Sequence, residues 1–439
     1  MTGNPYRLPD ESGTGRLIDR KKPLTFTFDG KKMTGFAGDT LASAVMANGR
    51  RVMGRSFKYH RPRGLITLGS EEPNALVGVG SGSRHEPNLR ATQVELYDGL
   101  VAVSQNRWPS LDFDVGIINN ALSRLFPSGF YYKTFMWPKA FWHKVYEPII
   151  RHAAGLGVAP EGVDPDIYEQ MHVHCDVLIV GGGVAGLAAA RAASVNGKRV
   201  MICDEAPRLG GVADVSDELI DGQSQLDWLT GQTAALAKAD NVHVMTRSTV
   251  IGHYHHNYLM VLERLADHDP QLAQSGMPRH RLWKVRTGKV ILASGASERT
   301  LTFANNDRPG VMLSSAARML VERYGVAPGL MGVIFANNDD AYHTALRLKK
   351  AGVGVAKIVD VRENPRSDII SAASDAGIET LFGHAVAGVE TRSGGKQIER
   401  VKIAPYVPGR GRVVDETTVA ADFVAVAGGW NPVAHLWCH

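Results

Sequence analysis

Cysteine is scarce in this 439-residue chain: Cys175, Cys203 and Cys438 are the three, far apart and with no C-x-x-C among them. That excludes a sequence-local redox dithiol and a zinc or iron–sulfur site built on cysteine alone, and it fits a reducing cytoplasm. Long apolar runs are missing too. The longest, around Val177 to Ala190, is broken by glycines and too short to cross a bilayer, so no membrane span is expected. The polar first twenty residues show no secretory signal. Charge of one sign is also lacking. A net +5 from scattered Lys and Arg makes no basic domain, and no nucleic-acid partner is expected. A hydrophobic fraction of 44% and a charged fraction of 21% are those of an ordinary globular protein, and the length predicts two or three domains.

What is present is centred on Val177-Leu-Ile-Val-Gly-Gly-Gly-Val-Ala-Gly186. Val177 to Val180 reads as a strand buried on both faces. Gly181, Gly183 and Gly186 then make G-x-G-x-x-G, with Gly182 between the first two. The first glycine allows the tight turn, the second lets backbone approach a pyrophosphate, and the third lets the next helix pack on the strand. From Val184 and Ala185 the chain is rich in Ala and Leu, so a helix should aim its N-terminal N–H groups at the phosphates. A second apolar run, Val200 to Cys203, delivers Asp204 eighteen residues after Gly186, where a carboxylate accepts hydrogen bonds from a ribose diol. An Asp there argues against a 2′-phosphate, leaving NAD or FAD, which the glycines do not separate. Glu205 follows, then Arg208, placed to neutralise phosphates, and Gly210-Gly211, a second close backbone approach.

Earlier in the chain, Leu24 to Phe28 meets Asp29-Gly30, a hairpin signal. Thr40 caps a helix from Leu41 to Asn48, and Thr92–Leu96 with Leu100–Ser104 reads as a second hairpin across Asp98-Gly99. The order resembles the plant-type ferredoxin fold, with the cluster loop falling in Arg63 to Arg90. That stretch holds no cysteine, so the module is expected to be free of a cluster. Arg55-Ser-Phe-Lys-Tyr-His-Arg-Pro-Arg63 either clamps a phosphate or is a solvated loop. From Trp108 to about Gln170 come aromatics and prolines without a clean period (Phe126-Pro127, Phe130-Tyr131-Tyr132, Trp137-Pro138, Phe141-Trp142). Residues so apolar wrap other domains or face another subunit, and the subunit interface is favoured. Gly155 to Pro165 is the expected linker.

After Asp204, strands are expected at 241–250, 259–264 and 282–286, followed by Lys289-Val-Ile-Leu-Ala-Ser-Gly295. The last places Ser294 and Gly295 beneath the pyrophosphate. A weak repeat follows: Val333 to Ala341, a helix to Ala351, and Ala356 to Asp360 copy the strand–turn–helix–strand–acid order. Ala336, Asn338 and Ala341 stand at its glycine positions, and Asp339 and Asp340 would repel a pyrophosphate. Asp422 to Pro432 reads as a strand rejoining the first domain. His172 and His174 share one strand face and His253-Tyr-His-His256 is metal-capable, but no third ligand is near, so no metal site is nominated.

The fold class is therefore α/β, with two dinucleotide-binding (Rossmann-like, FAD/NAD(P)-binding) domains, the second inserted in the first, after a β-grasp ferredoxin-like module without a cluster. The expected segments are 1–20, an arm; 21–107, the β-grasp module; 108–170, the wrapping segment and linker; 171–307 plus 415–439, the first dinucleotide domain; and 308–414, the second, degenerate one.

Gly54-Arg-Ser-Phe-Lys-Tyr-His-Arg-Pro-Arg-Gly64, Glu71-Glu-Pro-Asn-Ala-Leu76, Ser104-Gln-Asn-Arg-Trp-Pro109, Asn306-Asp-Arg-Pro-Gly-Val-Met312, the Asn337-Asn338-Asp339 turn and Gly428-Gly-Trp-Asn-Pro432 together resemble the heterotetrameric sarcosine oxidase family, in its α subunit. The resemblance runs over essentially the whole chain. It implies a complex that demethylates sarcosine to glycine, reduces oxygen to hydrogen peroxide and passes the one-carbon unit to tetrahydrofolate. It implies FAD on a β subunit as the place of amine oxidation, FMN at the α–β boundary, γ- and δ-type subunits as further partners, and a tightly bound NAD on α that is not turned over. That NAD would lie on Gly181, Gly183 and Gly186, with Asp204 or Glu205 at the ribose and Val250, Ser294 and Gly295 close by. The family's α subunit continues into a folate-binding, aminomethyltransferase-like region. This chain ends at His439, so a fragment or split form is expected and one-carbon transfer is not assigned to it. The rival readings are a stand-alone FAD-dependent NAD(P)H oxidoreductase and an α subunit of a related opine- or proline-type dehydrogenase. No catalytic residue is nominated, because flavin amine oxidation needs little from side chains beyond orientation and electrostatics.

Overall fold

The computed structural model describes residues 4–126, 129, 135–216, 218–407, 409 and 415–438. The expected aromatics Phe130, Tyr131 and Tyr132, with Pro127, lie outside the described residues. The chain forms two compact units, Met1–Val163 with Glu298–Gly429, and Asp164–Ser297 with Trp430–His439.

In the first unit, β1 (Asp19–Phe28) and β2 (Lys31–Ala37) pair antiparallel across Asp29 and Gly30, both at positive φ as the tight hairpin turn requires. Thr40 caps α1 (Leu41–Ala47): its Oγ1 accepts from Ser43 N at 3.2 Å, and Ser43 Oγ accepts from Thr40 N at 3.0 Å. Such a cap contributes about 1 kcal/mol. With β3 (Leu76–Val79), β4 (Glu86–Arg90) and β5 (Val101–Ser104) the sheet runs β2-β1-β5-β3-β4. The hairpin expected from 92–96 and 100–104 does not form. Val94 O and Leu96 N bond to Leu41 N (2.8 Å) and Asp39 O (2.9 Å), so that segment closes the start of α1, and β5 pairs with β1 and β3 instead. The loop before β3 is organised by Glu72, which is fully buried. Its Oε2 accepts from the N–H groups of Ile66 (2.8 Å) and Thr67 (2.7 Å), and its Oε1 from Asn74 N–H (2.7 Å).

The second unit contains β6 (Tyr168–Val180), α2 (Val184–Val195), β7 (Val200–Cys203), α3 (Gln225–Ala237), β8 (Val242–Met245), β9 (Ser248–Tyr254), β10 (Tyr258–Arg264) and β11 (His280–Leu292). Its sheet runs β8-β7-β6-β11-β10-β9, parallel from β8 to β11 and then an antiparallel meander. Where two separate strands were expected at 282–286 and from 289, β11 is a single strand, held in register along nearly its whole length by β6.

Back in the first unit come β12 (Val311–Leu313), α4 (Ser314–Tyr324), β13 (Met331–Ala336), α5 (Asp340–Lys350), β14 (Gly354–Asp360), α6 (Asp368–Asp375) and β15 (Thr380–Phe382). An antiparallel layer, β16 (His384–Arg392), β17 (Gln397–Pro405) and β18 (Thr417–Ala420), precedes β19 (Phe423–Ala427). The expectation that the strand within 422–432 rejoins the first dinucleotide domain is corrected here. β19 lies between β12 and β13 in the all-parallel order β12-β19-β13-β14-β15. All five of its residues are buried, as suits an unbroken apolar run flanked on both sides. The chain enters the second unit only at Trp430. One apolar cluster joins Phe26, Leu41 and Leu100 of the β-grasp sheet with Leu320, Tyr342 and Phe423. Ion pairs from Arg7 to Asp39 and from Arg51 to Asp422, each 2.7 Å, add to it. No helix among the described residues is long and apolar enough to cross a membrane.

Candidate nucleotide site

Between β6 and α2 the glycines divide into two kinds. A Cβ on Gly181 (φ +100°) would lie 2.3 Å from Ala293 O, and one on Gly186 would lie 1.9 Å from Gly181 O. These two let the turn and helix close on the strand ends. Gly182 is covered by the Leu209 side chain, 2.4 Å from its Cβ position. Gly183 differs. Its φ of −72° suits any residue, and a Cβ there would meet only the Cα of Gly211, at 4.0 Å. No side chain caps α2 at this N-cap, so the first-turn N–H groups beginning at Val184 and Ala185 keep the arrangement that receives phosphate.

Asp204, at the end of β7, ties the turn together. One carboxylate oxygen accepts from Gly182 N at 2.6 Å and the other from Ala206 N at 2.8 Å. Gly210 N donates to Gly182 O at 2.8 Å, which brings the Gly210-Gly211 pair against the first turn. Ser294 is also gathered in, with its Cα 3.2 Å from the Cβ position of Gly181. Gly295 (φ +71°) accepts from Val433 N at 3.0 Å, and Ser294 Oγ donates to Val433 O at 2.6 Å. Glu205 follows Asp204, its backbone carbonyl receiving Arg264 Nη2 at 2.7 Å. Arg208 is solvent-exposed in the loop between Asp204 and Gly210. Val250 is packed into the apolar cluster that holds Cys203 and Met245, in the strand whose first residue, Ser248, donates its N–H to Asp204 O at 2.7 Å. Leu209 and Val433 are the residues that sequence reasoning missed. Leu209 reads as an ordinary loop leucine, and Val433 reaches the site from nearly 140 residues away.

Cys175 and Cys203 are buried and free, and burial pushes both thiols up from their ordinary range. Among the described residues no three His, Cys, Asp or Glu side chains gather to hold a metal ion.

The corresponding turn of the first unit, after β13, is occupied by its own side chains. Asp339 pairs with Arg362 at 2.8 Å and Asp340 with Arg318 at 2.9 Å. Asp360, the counterpart of Asp204, is fully buried. Arg362 Nη2 lies 2.7 Å from its Oδ2, which also accepts the Tyr342 hydroxyl at 2.8 Å. That hydrogen bonding raises the Arg362 guanidinium, and burial with the adjacent carboxylate raises the Tyr342 hydroxyl. Asn337 and Asn338 side chains donate to Gly428 O and Ala427 O. Nothing of the ribose-binding acid is left for a ligand.

Against this geometry, the FAD dependent oxidoreductase family model matches residues 176–235, and the 2Fe-2S iron-sulfur cluster binding domain model matches residues 21–107. The α subunit of sarcosine oxidase from Rhizobium meliloti (strain 1021) is 47% identical over 99% of this chain and 42% of its own length. This chain is homologous to sarcosine oxidase α subunits. The same subunit from Corynebacterium sp. (strain P-1) is 38% identical over 98% of the chain and 40% of the relative. The homologue thus spans about two-fifths of the length of these curated relatives. Among solved structures, L-proline dehydrogenase from P. horikoshii superposes with a TM-score of 0.62 at 18% identity, covering 99% of this chain and 64% of that one, and so shares the fold. The residues do not fit the cluster that the 21–107 match implies. No cysteine occurs there, and the loop is filled by the Glu72 hydrogen bonds instead of thiolate ligands. The open turn at Gly183, with its uncapped helix, does fit a dinucleotide of the flavoprotein-fold type.

Proposed function

We propose that this chain is the nucleotide-holding part of the α subunit of a multi-flavin amine oxidase of the sarcosine oxidase type, working in the cytoplasm. In this reading NAD lies along Gly181–Gly186 and is held without turnover. The N-terminal N–H groups of α2 and Arg208 face its pyrophosphate, and Asp204 or Glu205 accepts from its ribose hydroxyls. Val250, Gly211, Ser294 and Gly295 border it. The amine is oxidised at FAD on a β-type subunit, FMN sits at the α–β boundary, and γ- and δ-type subunits complete a heterotetramer. Sarcosine is the amine, converted to glycine as oxygen becomes hydrogen peroxide and the one-carbon unit goes to tetrahydrofolate. The observation carrying this reading is the contrast between Gly183, where a Cβ would meet only Gly211 Cα at 4.0 Å, and the ion-paired turn at Asp339–Asp360. The 108–163 segment supports the partner subunits, since Trp108, Trp137 and Phe141 are left exposed.

A second reading, FAD in the same turn, is favoured by the FAD dependent oxidoreductase match to residues 176–235. It would make the chain a stand-alone NAD(P)H oxidoreductase, or the α subunit of an opine- or proline-type dehydrogenase. The test is to denature the purified chain and identify what it releases. A colourless supernatant carrying the mass of NAD supports the first reading, and a yellow one carrying FAD replaces it with the second. Co-purification with a β-type partner, followed by a sarcosine-dependent peroxide assay, tests the assembly.

A further inference from the structure

The Arg55–Arg63 stretch, open in the sequence between a phosphate clamp and a solvated loop, folds as a short hairpin in which Gly54–Arg55 pairs with Pro62–Arg63. It is not a solvated loop. Arg55 is buried, bonded to the carbonyls of His60 and Leu111. Arg61 and Arg63 leave the hairpin towards the Asn305–Arg308 turn of the same unit. Arg61 Nη2 lies 2.7 Å from Asp307 Oδ1 and 2.9 Å from Asn305 Oδ1, and Arg63 Nη1 lies 2.7 Å from Asp307 Oδ2.

Asp307 is thus taken at both oxygens, and a third guanidinium stands beside it. Among the described residues Arg308 makes one carboxylate contact, Nε at 3.9 Å from Asp307 Oδ1, beyond hydrogen-bond reach. Its side chain is 13% exposed, and the Nε atoms of both Arg308 and Arg61 are buried without a hydrogen-bond partner. The hairpin turn between β16 and β17 passes close over the Arg308 guanidinium, a Cβ on Gly395 (φ +85°) lying 2.6 Å from Arg308 Nη1. Burial and the neighbouring Arg61 and Arg63 charges push the Arg308 pKa down, against the opposing effect of Asp307. Three guanidiniums against one carboxylate leave a formal +2 in a half-buried place.

We propose that Arg61, Arg63 and Arg308, gathered round Asp307, bind a phosphate group, free or as a monoester. A phosphate dianion matches the excess of +2, and its several oxygens match the fork of donors that Arg308 leaves unused. A monocarboxylate matches neither. The site lies wholly in the first unit and does not depend on what occupies the Gly183 turn.

The test titrates the full 439-residue chain by calorimetry with inorganic phosphate, phenyl phosphate and acetate at matched ionic strength. Both phosphates should bind at least tenfold more tightly than acetate, and phenyl phosphate alone doing so would identify the occupant as a monoester. Arg308→Gln should weaken phosphate at least tenfold and Arg308→Lys by less, while Arg199→Gln, at an exposed pair in the other unit, should change nothing. Equal binding of acetate, or unchanged phosphate affinity in Arg308→Gln, overturns the site. A readout needing no variant is phenylglyoxal modification mapped by mass spectrometry. Phosphate should protect Arg308 and Arg61 but leave Arg199 reactive, and equal labelling of Arg308 with and without phosphate is the contrary result.

Discussion

Two turns of this chain have the same order of strand, turn, helix, strand and acid, and opposite chemistry. At Gly181–Gly186 the closing work is done by backbone and by Asp204, which braces the loop through Gly182 and Ala206 N–H. At Asn337–Ala341 the closing work is done by ion pairs: Arg318 and Arg362 neutralise Asp340 and Asp339, and Arg362 with Tyr342 takes up Asp360. The charges of Asp339 and Asp340 are therefore paired within the fold, which the repulsion read from them alone does not take into account. The arginines that cancel those charges also close the place.

The comparison breaks most completely at Gly186. A methyl there would sit 1.9 Å from Gly181 O and 3.0 Å from Gly181 C, backbone atoms that cannot swing aside as a flexible side chain could. Gly186→Ala should destabilise by about 5 kcal/mol or more, in the range reserved for steric overlap of backbone. Urea unfolding followed by the fluorescence of Trp228 and Trp283, both in this unit, reads it. A wild-type midpoint would show that α2 is free to move off β6. On the other side, Arg362→Met strands the fully buried Asp360 with the Tyr342 hydroxyl and one backbone N–H. A loss of about 4 kcal/mol is expected for an uncompensated buried charge, with the amount of released nucleotide unchanged. Loss of nucleotide in this variant would mean that the second turn, not the first, is the occupied one.

A pH measurement sharpens the same contrast. Glu298 lies beside the second turn, with Oε2 receiving Ser315 N–H at 2.8 Å and Asp340 acting on it electrostatically. Burial, with that Asp340 charge, pushes its carboxyl up to about 7 from an ordinary 4.5. Between those values the folded state holds a proton that the unfolded state has released. The stabilisation is complete below about 4.5 and is lost as pH rises through about 7, on the order of 3 kcal/mol in all. Urea midpoints should fall from pH 5 to pH 8, and Glu298→Gln should flatten that slope. Identical slopes in the two proteins would remove Glu298 from the account.

What was legible beforehand follows from range. The Gly181–Gly186 turn, the Asp29-Gly30 hairpin and the Thr40 cap are set by conformations and contacts within a few residues, and those stood in the sequence. The partner of β19 is set by which strands flank it, and an apolar run such as Phe423–Ala427 suits either sheet, so its placement was misread. The 92–96 segment alternates like a strand, yet its backbone is taken by the start of α1. Glu72 was visible only as an absence of cysteine, because a carboxylate that gathers three amides has no spacing rule. Of the residues gathered at the candidate site, the glycines and Asp204 stand in a local pattern, whereas Leu209 over Gly182 and the Val433 contacts of Ser294 and Gly295 depend on packing that no local pattern carries.

The smallest expected change in stability is the most informative. Gly183→Ala adds a methyl that meets only Gly211 Cα at 4.0 Å, at a backbone conformation alanine adopts freely, so the fold should keep its midpoint within about 0.5 kcal/mol. If a pyrophosphate lies on the first N–H groups of α2, as proposed, the same methyl at the helix N-cap crowds it. Retention of nucleotide through gel filtration should fall at least tenfold, about 1.4 kcal/mol in binding. The matching change in the other turn, Asn338→Ala, should leave the bound nucleotide alone, since that side chain is bonded to Ala427 O and Asn337. If Gly183→Ala keeps its nucleotide while Asn338→Ala loses it, the roles of the two turns are reversed. If both keep it, the ligand is held by something other than the glycine turn.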